Sequence, residues 1–235
     1  MSQIDKIQEI IDEYNTLMSN IEKKARTNQK SRAYGGIIRS EKGKLVENIA
    51  KILVRLAWQN LKQNPDRLKI IGKQIRIPIK QEYIDKLKNE DVKKYIKQNI
   101  NKYFYSYKPD VLVEIDNKEV LAIECKNYTE NAMFKRILVD ATLLKTQFPD
   151  IQFILLQLES QLGGDFSELK DVTYGSTSTH TLLSYFDIDL HIITLLKGER
   201  LVNKPIHTPE FFKPLTRESI EKAIDTISNI LKEYI

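Results

Sequence analysis

The sequence predicts an α/β fold, a single domain built on one mixed β-sheet flanked by α-helices. Three features carry this reading. Two apolar, β-branched runs, Tyr107–Ile115 and Val120–Asn127, are separated by Asp116-Asn117-Lys118 and read as an antiparallel hairpin. A helical period from Thr129 to Thr146 is followed by a compact apolar run at Gln152–Leu158, which suits a central strand. Strand, strand, strand, helix, strand implies a mixed sheet with helices on both faces.

Taken in order, residues 3 to 26 set Ile4, Ile7, Ile10, Ile11, Tyr14, Leu17, Met18 and Ile21 at helical spacing, one apolar stripe on a charged helix. The stripe docks on the body of the fold or forms a subunit contact. From Lys23 to Arg39 the period loosens around Tyr34-Gly35-Gly36, and Arg32, Arg39 and, just beyond, Lys42 become candidates to track phosphates. A solvated connector is the equal alternative.

Ser40 to Leu61 reads as a helix with Ser40 as N-cap, Leu45, Ile49, Ile52, Leu53, Leu56 and Ala57 inward, and Glu47 at the margin of the polar stripe. Gln74–Ile79 alternates with period two around Pro78, an edge strand and the first of the sheet. Glu82 to Tyr105 is lysine-rich and partly helical, and Tyr95, Tyr103, Phe104 and Tyr105 either line a nucleic-acid groove with the lysines or, the favoured reading, pack beneath a solvated helix. Thr129 is the expected cap of the helix that turns Phe134, Ile137, Leu138, Ala141 and Leu144 inward. Gly163 to His180 reads as a long polar loop, and Ser176, Thr177, Ser178, Thr179 and His180 are its candidates for contacting DNA bases or phosphates. Leu190–Leu196 is a further strand, and Thr216 opens a last helix whose apolar face is expected to dock on the sheet.

The charges of the hairpin are its anomaly. With a three-residue turn at Asp116–Lys118, Ile115 faces Glu119 and Asp110 falls across from Glu124, with Lys126 on the same face and Cys125 on the other. Two carboxylates and one ammonium then gather at one end of an apolar hairpin. Charges beside buried strands need a compensating partner, and a hard divalent cation with carboxylate and water ligands is a natural one. Such an ion can polarise a phosphoryl oxygen and lower the pKa of an attacking water, while the ammonium offsets developing negative charge. A Glu124–Lys126 ion pair with Asp110 as a turn residue is the plain alternative.

Pro109-Asp110 followed by Glu124-Cys125-Lys126 resembles the signature of the PD-(D/E)xK nucleases, which include many type II restriction endonucleases. The resemblance spans roughly residues 40 to 160. It implies a restriction endonuclease-like fold, magnesium, Asp110 and Glu124 as metal ligands, and Lys126 as the group that orients or activates water. Ser40, Gly43 and Glu47 echo a Ser-x-x-Gly-x-x-x-Glu pattern of several restriction endonucleases, which makes Glu47 a candidate ligand, direct or indirect. It further implies double-stranded DNA as substrate, a type II restriction activity and a homodimer matching a symmetric duplex. A structure-directed repair or recombination nuclease and a non-cutting nucleic-acid-binding protein are the rival functions.

At 235 residues the chain has room for one core, divided as residues 1–39 (helix and basic connector), 40–200 (catalytic core) and 201–235 (extension and last helix). One cysteine and three histidines argue against disulfides and zinc, no glycine loop suggests an organic cofactor, and no apolar run suggests a membrane. A reducing, cytoplasmic setting is expected. The net charge of +5 is compatible with a polyanionic partner without pointing to one.

Overall fold

A computed structural model of the chain describes residues 3–27, 32–167 and 174–235, with the side chains of 24–39 outside that description. Arg32 and Arg39, named above for phosphate contacts, therefore have no described side chains.

The N-terminal stripe folds as expected into α1 (Gln3–Thr27), burying Ile7, Ile10, Tyr14, Met18 and Ile21 while Ile4 stays exposed. Full burial of each such side chain contributes about 1.5–3 kcal/mol. The buried stripe merges with the main core, so its use is docking on the body. The tyrosine at its centre donates its hydroxyl to Lys213 O at 2.6 Å.

The second helix, α2 (Arg32–Asn60), is longer than its sequence suggests. Ser40 is not its N-cap, because the helix already runs through Tyr34-Gly35-Gly36. Propensity counts against glycine in a helix, but tertiary packing overrides a penalty of about 1 kcal/mol per residue. Val46, Ala50, Val54 and Trp58 are buried in addition to the expected face, since this helix lies between the sheet and two other helices.

The main sheet has five strands, β1 (Leu68–Ile71), β4 (Val111–Ile115), β5 (Lys118–Glu130), β6 (Gln152–Gln161) and β7 (Leu190–Thr194), in the order β1-β4-β5-β6-β7. The first two pairings are antiparallel and the last two parallel, so the sheet is mixed as expected. The edge strand expected at Gln74–Ile79 is not its first strand. That segment supplies β2 (Ile75–Pro78), which pairs with β3 (Phe104–Tyr107) in a separate two-stranded ribbon. Between the ribbon's strands run α3 (Gln81–Lys86) and α4 (Glu90–Gln98). Of the four aromatics named there, Tyr95, Phe104 and Tyr105 are exposed and do not pack beneath the lysine-rich segment, while Tyr103 is partly covered.

The hairpin reaches the expected alignment by another route. Its turn has two residues, Asp116 and Asn117, both at positive φ (51° and 64°), so Ile115 faces Lys118 and Glu114 faces Glu119. A bulge beside Val113 then inserts one residue on the second strand, and Val113 faces Leu121 while Val111 faces Ile123. Continued by one position, this register sets Asp110 beside Glu124. The three-residue turn is corrected, and the bulge restores what the shorter turn would have displaced.

The second hairpin strand extends to Glu130, so Thr129 is a buried strand residue and not the cap of α5 (Asn131–Lys145). That helix buries Phe134, Ile137, Leu138, Ala141 and Leu144 against one face of the sheet. The other face carries α2, and α7 (Arg217–Lys232) packs chiefly on α2, where docking on the sheet was expected. Thr216 caps it, accepting from Ser219 N at 3.2 Å. Among the described residues no helix is long and apolar enough to cross a membrane.

Candidate active site

Alternation along β5 sends Ile123 and Cys125 into the core shared with α2, whereas Ala122 lies in the core under α5 and the ribbon. Glu124 and Lys126 have the parity of Ala122. Pro109 ends the segment before β4, which leaves the Asp110 carboxylate at the strand's entrance, where it accepts from Cys125 N–H at 2.7 Å.

The Lys126 ammonium sits between the two acids. Its Nζ is 2.7 Å from Glu124 Oε2, 3.4 Å from Asp110 Oδ2 and 3.2 Å from Cys125 O. The remaining Glu124 oxygen, Oε1, accepts a short hydrogen bond from the Tyr107 hydroxyl. None of these groups is widely open to solvent, with side chains 30%, 14% and 29% exposed for Lys126, Glu124 and Asp110.

Burial raises the Glu124 carboxyl above its usual value, with Asp110's charge adding to the effect while Lys126 and Tyr107 oppose it. Burial alone would lower Lys126, but the two carboxylates outweigh it and hold the ammonium above the usual lysine range. Lys126 is thus a cation at neutral pH, suited to orienting a water and neutralising charge and unsuited to taking a proton. On the opposite side of β5 the Cys125 thiol is pushed well up by burial and by the surrounding acids, so it is an inert core group.

Among the described residues, no three of His, Cys, Asp and Glu form a metal-binding group. Asp110 and Glu124 stand as a pair. Glu47 rises from α2, beyond Cys125, whose thiol feels its charge. Two carboxylates compressed around one cation nevertheless suit a hard divalent ion that keeps most of its waters, because the ammonium already occupies the place of a positive charge between them.

Of the residues expected to meet DNA, Lys42 is half-buried near Glu159 and Arg200, and burial lowers its pKa to about 8. The stretch Ser176–His180 is not a loop. Ser176 caps α6 (Thr177–Leu183), accepting from Thr179 N at 3.2 Å. Thr179 is fully buried and donates to Leu162 O at 2.8 Å, so it cannot read a base. Ser178 Oγ bonds Asn131 and Ser176, and His180 Nε2 bonds Tyr174 O, while Thr177, Ser178 and His180 remain exposed. Short hydroxyl side chains looked like contact groups in the sequence and here serve as a helix start.

Tyr107 and Tyr105 were missed. Their hydroxyls reach Glu124 and Asp140, the latter at 2.8 Å. The signal was available, because two tyrosines spaced by two on a strand share a face, but Phe104–Tyr107 was not read as a strand.

No family model matches the chain. A type II restriction enzyme, DdeI of Desulfomicrobium norvegicum, is 50% identical over 232 residues, covering 97% of each chain. A chain of the native BbvCI A2B2 tetramer aligns over 99% of this chain and 92% of its own at 10% identity, with a TM-score of 0.36, too low to carry an argument. Identity of one residue in two along nearly the whole length is decisive: this chain belongs to the type II restriction enzymes, the site-specific endonucleases of DNA.

Proposed function

We propose that the chain cuts double-stranded DNA at the Asp110–Glu124–Lys126 cluster as a magnesium-dependent enzyme of the PD-(D/E)xK type, one nuclease domain per chain and two chains per symmetric site. The observation that carries this reading is the Lys126 ammonium held between the Asp110 and Glu124 carboxylates. Type II restriction enzymes generally need a divalent metal ion, and membership of that family is the reason to expect one here.

Asp110 and Glu124 would hold the ion. When bound, magnesium supplies a polarised phosphoryl oxygen and a more acidic water. Lys126 positions the attacking water with an N–H donor and offsets the negative charge that builds on the phosphorane oxygens. Cys125 N–H fixes the Asp110 carboxylate through Oδ2. Glu47 acts from α2 through an intervening water, its charge being felt as near to the cluster as Cys125. The exposed aromatic side chains of the ribbon, Phe104 and Tyr105, stand on the strand that ends at Tyr107 and offer stacking contacts for DNA near this cluster.

The test is cleavage of a long natural duplex with magnesium or with chelator, wild type beside Asp110→Ala. Discrete bands that need metal and vanish in the variant support the reading. A smear, cutting confined to branched DNA, or unchanged cutting by the variant overturns it.

A further inference from the structure

We infer that Tyr107 is a positioning residue for the cleavage centre, fixing the Glu124 carboxylate through its hydroxyl; this rests on Asp110, Glu124 and Lys126 being the metal-binding cluster. Tyr107 ends β3 and pairs with Ile75 of β2. The ribbon presents alternate faces, with Ile75, Ile77 and Tyr107 packed inward and Arg76, Pro78, Phe104 and Ser106 exposed. Tyr107 itself is 6% exposed, so substrate cannot reach its ring.

Each oxygen of Glu124 has a different keeper. Oε1 accepts from Tyr107, on the ribbon, and Oε2 accepts from Lys126, on the same strand as the glutamate. A carboxylate held at one oxygen still swings about its terminal torsion, which is broad and nearly two-fold. Held at both, it keeps one plane. The bond runs from the Tyr107 hydroxyl, as donor, to a carboxylate oxygen that can only accept. The tyrosine two residues earlier on the same strand is a natural comparator: Tyr105, itself exposed, donates to Asp140 at 2.8 Å, on α5, and so ties down the ribbon through a bond outside the cluster.

A buried tyrosine needs some partner, and a purely structural bond is the competing explanation. Partners that orient a metal-binding side chain change metal affinity or activity by about 10–100-fold when removed. A bond serving stability alone leaves metal affinity intact.

The experiment compares wild type, Tyr107→Phe, Tyr105→Phe and Asp110→Ala in three measurements: thermal unfolding in chelator, calorimetric titration of the DNA-free protein with manganese, and kcat and KM for a duplex at saturating magnesium. The expected result for Tyr107→Phe is manganese affinity weaker by about tenfold or more, kcat lower by about tenfold or more and KM within about threefold of wild type. Tyr105→Phe should bind manganese like wild type. Tyr107→Phe with wild-type manganese affinity and kcat overturns the inference, as does an equal loss of metal affinity in both tyrosine variants. If Tyr107→Phe fails to fold, its manganese affinity is read from Tyr107→Leu and Tyr107→Met, which likewise lack a donor, and wild-type affinity in either folded variant overturns it too. An Asp110→Ala protein that binds manganese and cuts like wild type instead overturns the underlying metal-site reading.

Discussion

Replacing Lys126 by methionine removes the cation and keeps the stem, so it isolates the charge. Its Nζ lies 2.7 Å from Glu124 Oε2 and 3.4 Å from Asp110 Oδ2. At an effective dielectric near 20 the gross attractions are about 6 and about 5 kcal/mol. Most of that is offset by the cost of desolvating the ammonium, and a buried pair broken at one partner typically loses about 3–5 kcal/mol. Because Lys126 and Asp110 are each nearly a third exposed, the expected net loss is smaller, about 2 kcal/mol. For a chain of this length that lowers the melting temperature by about 4–8 °C in chelator. Magnesium should close most of the gap, since an ion at a hundred times its dissociation constant adds about 2.7 kcal/mol. It should stabilise the variant more than wild type, whose ammonium competes with the ion for the two acids. Differential scanning calorimetry with chelator and with magnesium measures both shifts, and cleavage should fall at least a hundredfold with duplex binding within about threefold. A variant as stable as wild type in chelator, or one that magnesium does not favour, would refute the reasoning.

Glu47→Gln should slow cleavage by about 10–100-fold and leave the unfolding curve near that of wild type, as expected of a group acting through a water; single-turnover kinetics against Asp110→Ala, which should lose more, checks the ranking. Lys42→Met should stabilise the protein at neutral pH. The folded lysine has its pKa lowered to about 8 from 10.5, so below pH 8 the folded state carries the full cost of the buried charge, and wild-type stability rises as pH climbs from 8 towards 10.5. The variant's advantage, on the order of 2 kcal/mol after allowance for partial exposure, should therefore shrink across that window in urea melts. A constant advantage at every pH would contradict this account of Lys42.

The cluster of Asp110, Glu124 and Lys126 was legible because period-two alternation places Glu124 and Lys126 together whatever the turn does, and because Pro109 confines Asp110 to the strand's entrance. The register across the hairpin was harder. A two-residue turn and a bulge are each invisible in an apolar strand pattern, and here one offsets the other. Elsewhere local chemistry misled where tertiary burial decides. Gly35-Gly36 lies inside a helix, Thr129 is buried near the end of a strand, and the Ser176 hydroxyl bonds those of Ser178 and Thr179 and the start of the helix. The strand Leu68–Ile71 went unread because four residues carry too little period to distinguish it from the loop before Gln74. The ribbon was lost for the same reason, and with it the tyrosine that grips Glu124.

Manganese soaked into crystals of the protein with its duplex and located by anomalous scattering tests the central claim most directly. A peak within coordination distance of both the Asp110 and Glu124 carboxylates, facing a scissile phosphate, is the outcome this account requires. Manganese bound elsewhere, with those two side chains still clasping Lys126 in a complex that cuts when warmed, would contradict it.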